Sequence, residues 1–266
     1  MTARFFDGID WSQAWFAAVL QAAQALLVAD DWRAQLNQVT MQAGLTNHLG
    51  LPLRFIMQEE LPEGAAYEAH ISATGLVPTR ENLHDFFNAL VWLTFPAIKR
   101  QLNAMQAAQI ATLGIGKSRG PARDAATIFD ENAALLVVAD TPEGASLIAA
   151  LRMHAWQDAF VKQADKFGRC AEVCCFGHAL MEKLVKPYKA ITAHTWVVMV
   201  EPDYFKLDAI ARRAHTDELV AQQLASQVLT TAAYTPLPIL GIPGWWPLQD
   251  AAFYEDQQVF RAKRQS

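Results

Sequence analysis

Apolar and polar positions follow several different rhythms along this chain, and the changes of rhythm outline its elements. Residues 11–28 and 31–47 read as two helices, the first capped by Asp10 or Ser12 and the second by Asp30 or Asp31. Leu53–Met57 and Tyr67–Ile71 read as strands, and the turn-rich Leu61-Pro62-Glu63-Gly64 between them suggests a hairpin. The strongest helical period runs from Leu83 to Leu113, with a kink expected at Pro96. Gly114, Gly116, Gly120 and Pro121 form a loop, and Ala133–Ala139 reads as a buried strand. A helix over 143–156, a strand over 171–176, a helix from His178 to Val185, a strand over 195–200 and a helix over 207–229 follow. Pro236–Pro247, rich in Pro, Gly and Trp, reads as an ordered loop packed on the core. Helices, then a hairpin, then strands mixed with helices lack strict βαβ alternation. The pattern points to an α+β fold: a mixed or largely antiparallel sheet packed by helices, with a long Pro-kinked helix at its centre.

Composition narrows the class. The chain has 266 residues, 52% hydrophobic and 18% charged, so it can bury a large core and reads as one domain over 1–266. A net charge of −5 and the absence of a long basic run argue against extensive nucleic-acid binding. The apolar stretch Ala14–Ala29 carries Gln21 and Gln24 and fits neither a signal peptide nor a membrane span. Three clustered cysteines, Cys170, Cys174 and Cys175, suit reduced thiols better than a disulfide framework, and a cytoplasmic location is the expectation.

Three segments together carry a resemblance. They are Pro78–Trp92 with its His84-Asp85-Phe86-Phe87-Asn88 run, Arg123-Asp124 with Phe129-Asp130-Glu131-Asn132, and Phe176-Gly177-His178-Ala179-Leu180-Met181-Glu182. Pro236–Trp245 adds to it. On these the chain resembles an uncharacterised bacterial family, a domain of unknown function. The resemblance implies one family-sized domain and a bacterial origin, and it implies no reaction.

The polar residues of these segments are therefore read for their own chemistry. Wound at about 100° per residue, Asp85, Asn88, Trp92, Pro96, Lys99, Asn103 and Gln106 fall in one strip, with His84 just outside it, on a helix that is otherwise apolar. Such a strip faces either water or a cavity. At 1.5 Å per residue it spans roughly 27 Å, so Lys99 and Asn103 are not expected to join His84, Asp85 and Asn88 directly. Asp130, Glu131 and Asn132 precede a buried strand. They could ligate a cation or place a general base, and the alternative is a plain polar turn. Arg123 and Asp124 stand upstream as ion-pair or anion-binding candidates. His178 and Glu182, four residues apart, share a helix face and could ligate a metal or act as a base and its orienter, with His194 a later partner.

Two functional readings follow. In the first, His84, Asp85, Asn88, Arg123, Asp124, Asp130, Glu131, Asn132, His178 and Glu182 build one pocket of a metal-assisted or acid–base hydrolase for a small or phosphate-bearing substrate. Arg123 and Lys99 would hold an anion, and a divalent metal on His178, Glu182 and Asp130 is the candidate cofactor. In the second, the chain is a non-catalytic binding or scaffold protein. Its polar clusters are then structural, and Trp245 and Trp246 offer a surface to a protein partner.

Overall fold

The computed structural model describes residues 4–113 and 121–263. After a 3-10 turn at Ala14–Phe16 come α1 (Leu20–Leu27) and α2 (Trp32–Gln42). Asp31 caps α2 by accepting the N–H groups of Arg33 and Ala34, both at 3.0 Å. β1 (Arg54–Met57) follows as expected.

The expected strand over 67–71 is instead helix α3 (Tyr67–Thr74), and there is no hairpin. Five alternating residues are a short signal. Ala69 and Ala73 favour helix, Glu68 suits its first turn, and Gly75, at φ 75°, closes it with a left-handed cap. The partner of β1 is β2 (Leu76–Thr79), paired in parallel. A parallel return needs a crossover, and α3 supplies it.

The long helical segment is two helices, α4 (Leu83–Thr94) and α5 (Pro96–Leu113), broken at Phe95 (φ −131°, ψ 57°). Pro96 keeps the residue before it out of the helical region. Asp217, from another helix, accepts the N–H groups of Ala97 and Ile98 at 2.9 Å each and so caps α5 from outside.

The expectation of a loop at Gly114, Gly116 and Gly120 falls outside the described residues. α6 (Pro121–Asn132) begins at Pro121 and runs directly into β3 (Ala133–Ala139). Asp130, Glu131 and Asn132 therefore form the last turn of a helix, not a loop before a strand. The period of Ala125, Ala126 and Phe129, all buried, carries that helix.

β3 is buried along its whole length and sits inside a four-stranded sheet of order β4-β3-β5-β6. The elements after it are α7 (Pro142–Arg152), β4 (Ala171–Cys175), α8 (His178–Leu184), β5 (Thr192–Val200), α9 (Ala209–Ser226), β6 (Thr235–Pro238) and α10 (Ala251–Glu255). β3 pairs antiparallel with β4 and parallel with β5, and β5 pairs antiparallel with β6, so the sheet is mixed. The Pro-rich segment expected as a loop thus opens with a strand; its prolines are tolerated because β6 is an edge. Cys170, Cys174 and Cys175 are free thiols on or beside β4. Among the described residues no helix is long and apolar enough to cross a membrane.

Two features of this fold build the site. Phe95, Phe129 and Phe176 are wholly buried and join the end of α4, α6 and the β4–α8 turn, with Phe176 5.5 Å from Phe95 and 5.2 Å from Phe129, while Phe86 and Phe87 anchor α4 on the N-terminal aromatics Phe6 and Phe16. Gly177 lies so close to the backbone of Glu131 and Asn132 that a Cβ there would collide with it. The N–H groups of Phe176 and Gly177 both donate to the Ala133 carbonyl. The start of α8 is thereby pressed against the end of α6.

Candidate active site

The N-terminal turns of α3, α4 and α8 and one face of α6 surround a cavity of about 710 Å³. Tyr67, Glu68, Arg80, His84, Asp85, Asn88, Gln106, Arg123, Thr127, Asp130, Glu131 and His178 supply its polar lining. The polar strip of the long helical segment faces this cavity's floor, not water: Asp85, Asn88, Lys99, Asn103 and Gln106 are all buried.

At the floor, the break at Phe95–Pro96 overturns the expectation that Lys99 stands apart from Asn88. Lys99 Nζ donates to Asn88 Oδ1 at 2.8 Å and to Asp130 Oδ1 at 2.6 Å, and it lies 5.3 Å from the Trp92 ring. Asn88 Nδ2 donates to the Tyr67 hydroxyl at 3.1 Å. Lys99 is 4% exposed, is held by Asn88 and Asp130 and does not line the cavity, so it is not placed to hold a substrate anion.

The two histidines meet above that floor. His84 Nε2 and His178 Nε2 are 3.0 Å apart, with the rings nearly perpendicular. His84 Nδ1 is 3.0 Å from Glu182 Oε2, and His178 Nδ1 is 3.8 Å from Asp130 Oδ2. Glu182 thus pairs with His84 across the site, not with His178 on its own helix. His178 has no hydrogen bond at Nδ1.

Burial shapes the titration of these groups. It pushes the His178 imidazole down to about 4, with the Asp130 carboxylate opposing and the Lys99 and His84 charges reinforcing the shift. Burial alone would raise Asp130, but Lys99 first and then His178 more than offset it, and its pKa lies below the ordinary value. Glu68 goes the other way: burial raises it, and the Lys99 charge opposes only in part. The buried Tyr67 hydroxyl is raised by desolvation and then by Glu68, Asp85 and Asp130.

The remaining expected residues divide. Asp85 is saturated by Arg80, whose N, Nε and Nη2 approach its carboxylate at 2.7–3.0 Å, while Asp85 N–H donates to the capping Asn82 Oδ1. It braces the wall. Arg123 and Glu131 line the cavity, as expected of them. Asp124 is exposed and takes no part in the lining. Asn132 is turned toward β5, where Nδ2 contacts the Thr192 carbonyl at 3.1 Å and His194 Nδ1 at 2.8 Å; His194 therefore belongs to that contact.

The expected metal set of His178, Glu182 and Asp130 is not assembled. Glu182 meets His84 and Asp130 Oδ1 meets Lys99. Among the described residues, no group of three or more His, Cys, Asp or Glu side chains is arranged to hold a metal ion.

Tyr67 and Glu68 were missed because their segment reads as a strand. Arg80 gave no signal beyond standing five residues before Asp85, and Thr127 none at all. Gln106 was visible on the helical strip, without a role.

A family described as a protein of unknown function (DUF3025) matches residues 53–264. The chain belongs to that family. The DUF3025 match takes in every lining element, from the turn before α3 to α8, and the segments whose resemblance was noted in the sequence. No curated protein and no solved structure matches the chain.

Proposed function

We propose that this DUF3025 cavity is a hydrolytic active site that works by acid–base catalysis on a small polar substrate. The observation that carries the reading is the 3.0 Å Nε2–Nε2 contact of His84 and His178, set between two carboxylates at the cavity wall. With two N–H bonds between them, the rings place one toward Glu182 and one in the shared contact, leaving His178 Nδ1 bare. That nitrogen is buried from water, so the base is His84: its side chain is 33% exposed, and its Nε2, on leaving the shared contact, takes the proton of an attacking water while Glu182, 3.0 Å from Nδ1, stabilises the charge. The leaving group takes its proton from Glu68, the carboxyl whose pKa burial raises. Environments that drive a carboxyl up and an imidazole down within one cavity support this division of roles.

Turnover of a panel of small chromogenic esters, amides and phosphoesters tests it. Wild type should turn over at least one class, and His84→Ala and Glu68→Gln should each lose about 100-fold or more in kcat. No turnover of any class, or turnover untouched by both substitutions, overturns the reading.

A second reading, a non-catalytic binding role, has one observation in its favour. Leu248 is 76% exposed beside Trp245 and Trp246, which are half-buried against Trp15 and Phe253. A partner surface there would leave the polar cavity as a structural network.

A further inference from the structure

The α3 side of the cavity has its own chemistry. Helix α3 starts there without a side-chain cap, since Ala66 occupies the N-cap. The N–H groups of Tyr67, Glu68 and Ala69 meet no acceptor among the described residues. Three orphan donors and the positive end of the helix dipole make such a terminus attractive to an anion, but a free terminus alone usually means water.

A second and independent observation points to a ligand. Gln106, from α5, lines the same cavity and is 6% exposed, yet its side-chain amide has no hydrogen-bond partner among the described residues. That amide opens on the cavity, where both its oxygen and its N–H groups are left for a group that arrives there. Arg123, from the first turns of α6, lines the cavity too.

The geometry points to an oxyanion subsite in which the α3 N-terminus, Arg123 and Gln106 take the phosphate or carboxylate group of a small molecule. The lining carboxylates do not forbid it. Asp85 is closed by Arg80 and Asp130 by Lys99. Glu68 Oε2 is held by Asn103 Nδ2 at 3.1 Å. Glu131 stands eight residues along α6 from Arg123, about 12 Å at the helical rise. The anion therefore anchors the substrate beside α3 while the histidines meet it from the α4 and α8 wall. That second clause rests on the catalytic reading; anion binding itself does not.

Titration of the full chain with inorganic phosphate and, separately, acetate tests the subsite by calorimetry and by amide chemical shifts. Either probe should bind and shift the Tyr67, Glu68 and Ala69 amides, and the tighter one identifies the group recognised. Arg123→Ala should weaken binding about tenfold or more and Gln106→Leu about threefold, the ratios for a charged and a neutral hydrogen bond. His178→Ala should leave the affinity as in wild type. Thermal midpoints of the variants verify that each is folded, and amide shifts in wild type report the site without any substitution. Binding of neither probe, shifts elsewhere than α3, or affinities indifferent to Arg123 and Gln106 overturn the subsite. Anion binding by a protein that hydrolyses nothing would instead sink the catalytic reading and leave this one standing.

Discussion

Removing the Lys99 charge is the sharpest test of how the floor of the cavity is held. In Lys99→Met the chain keeps a similar volume, loses the 2.6 Å bond to Asp130 and the 2.8 Å bond to Asn88, and leaves both acceptors in a site where their partner was 5% exposed. Stripping one member from a buried ion pair costs about 3–5 kcal/mol, because the remaining charge is desolvated without compensation. The orphaned Asn88 oxygen adds about 1 kcal/mol or more. Protonation of Asp130 relieves part of this, so the expected net loss is about 4 kcal/mol, a large share of a stability on the order of 5–15 kcal/mol. Urea denaturation near neutral pH reads it directly. The double variant Lys99→Met/Asp130→Leu should recover most of the loss, since an apolar pair has no charge to strand. A single-variant cost under about 1 kcal/mol, or a double variant no more stable than the single, would refute the claim that charge compensation holds the floor.

The other predictions concern the supports and the histidines. Asp217→Ala removes the external cap of α5 and should cost about 1–2 kcal/mol in chemical denaturation. Gly177→Ala forces a Cβ onto the Glu131–Asn132 backbone and should cost about 1–3 kcal/mol while moving His178 away from Asp130, visible as a changed His178 titration by NMR. Stability should also depend on His178. Its folded pKa of about 4 lies below the ordinary 6.5, so the unfolded chain binds the extra proton, and stability present above 6.5 is lost as pH falls toward 4. The span is worth up to about 3 kcal/mol. Asp217, raised to about 6, acts in the opposite sense: its contribution is present below 3.8 and lost as pH rises through 6. The comparison is therefore the difference between wild type and His178→Phe across this range, where the Asp217 contribution cancels. A pH-independent difference would contradict the burial of a neutral His178.

Long, uniform signals were legible without the fold. The period from Leu83 to Leu113 and its break at Pro96, the apolar run of β3 and the glycine turn before α8 each rest on local physics, and the structure keeps all of them. So does the polar strip of the central segment, because helical geometry decides which residues share a face. Whether that strip met water or a cavity was a tertiary question: burial depends on what packs opposite, and nothing in Asn88 or Lys99 by itself reveals the Asp130 carboxylate that α6 brings over them. The same holds for the short segments. Tyr67–Ile71 could satisfy its backbone as strand or helix, and only the parallel pairing of β1 with β2, which needs a crossover between them, required the helix. His84 and His178 stand 94 residues apart, and their meeting depends on a Cβ-free Gly177 resting against the end of α6. Local sequence determined which side chains each element could present; the packing of α6 against α8 and the bend at Pro96 decided which of them met.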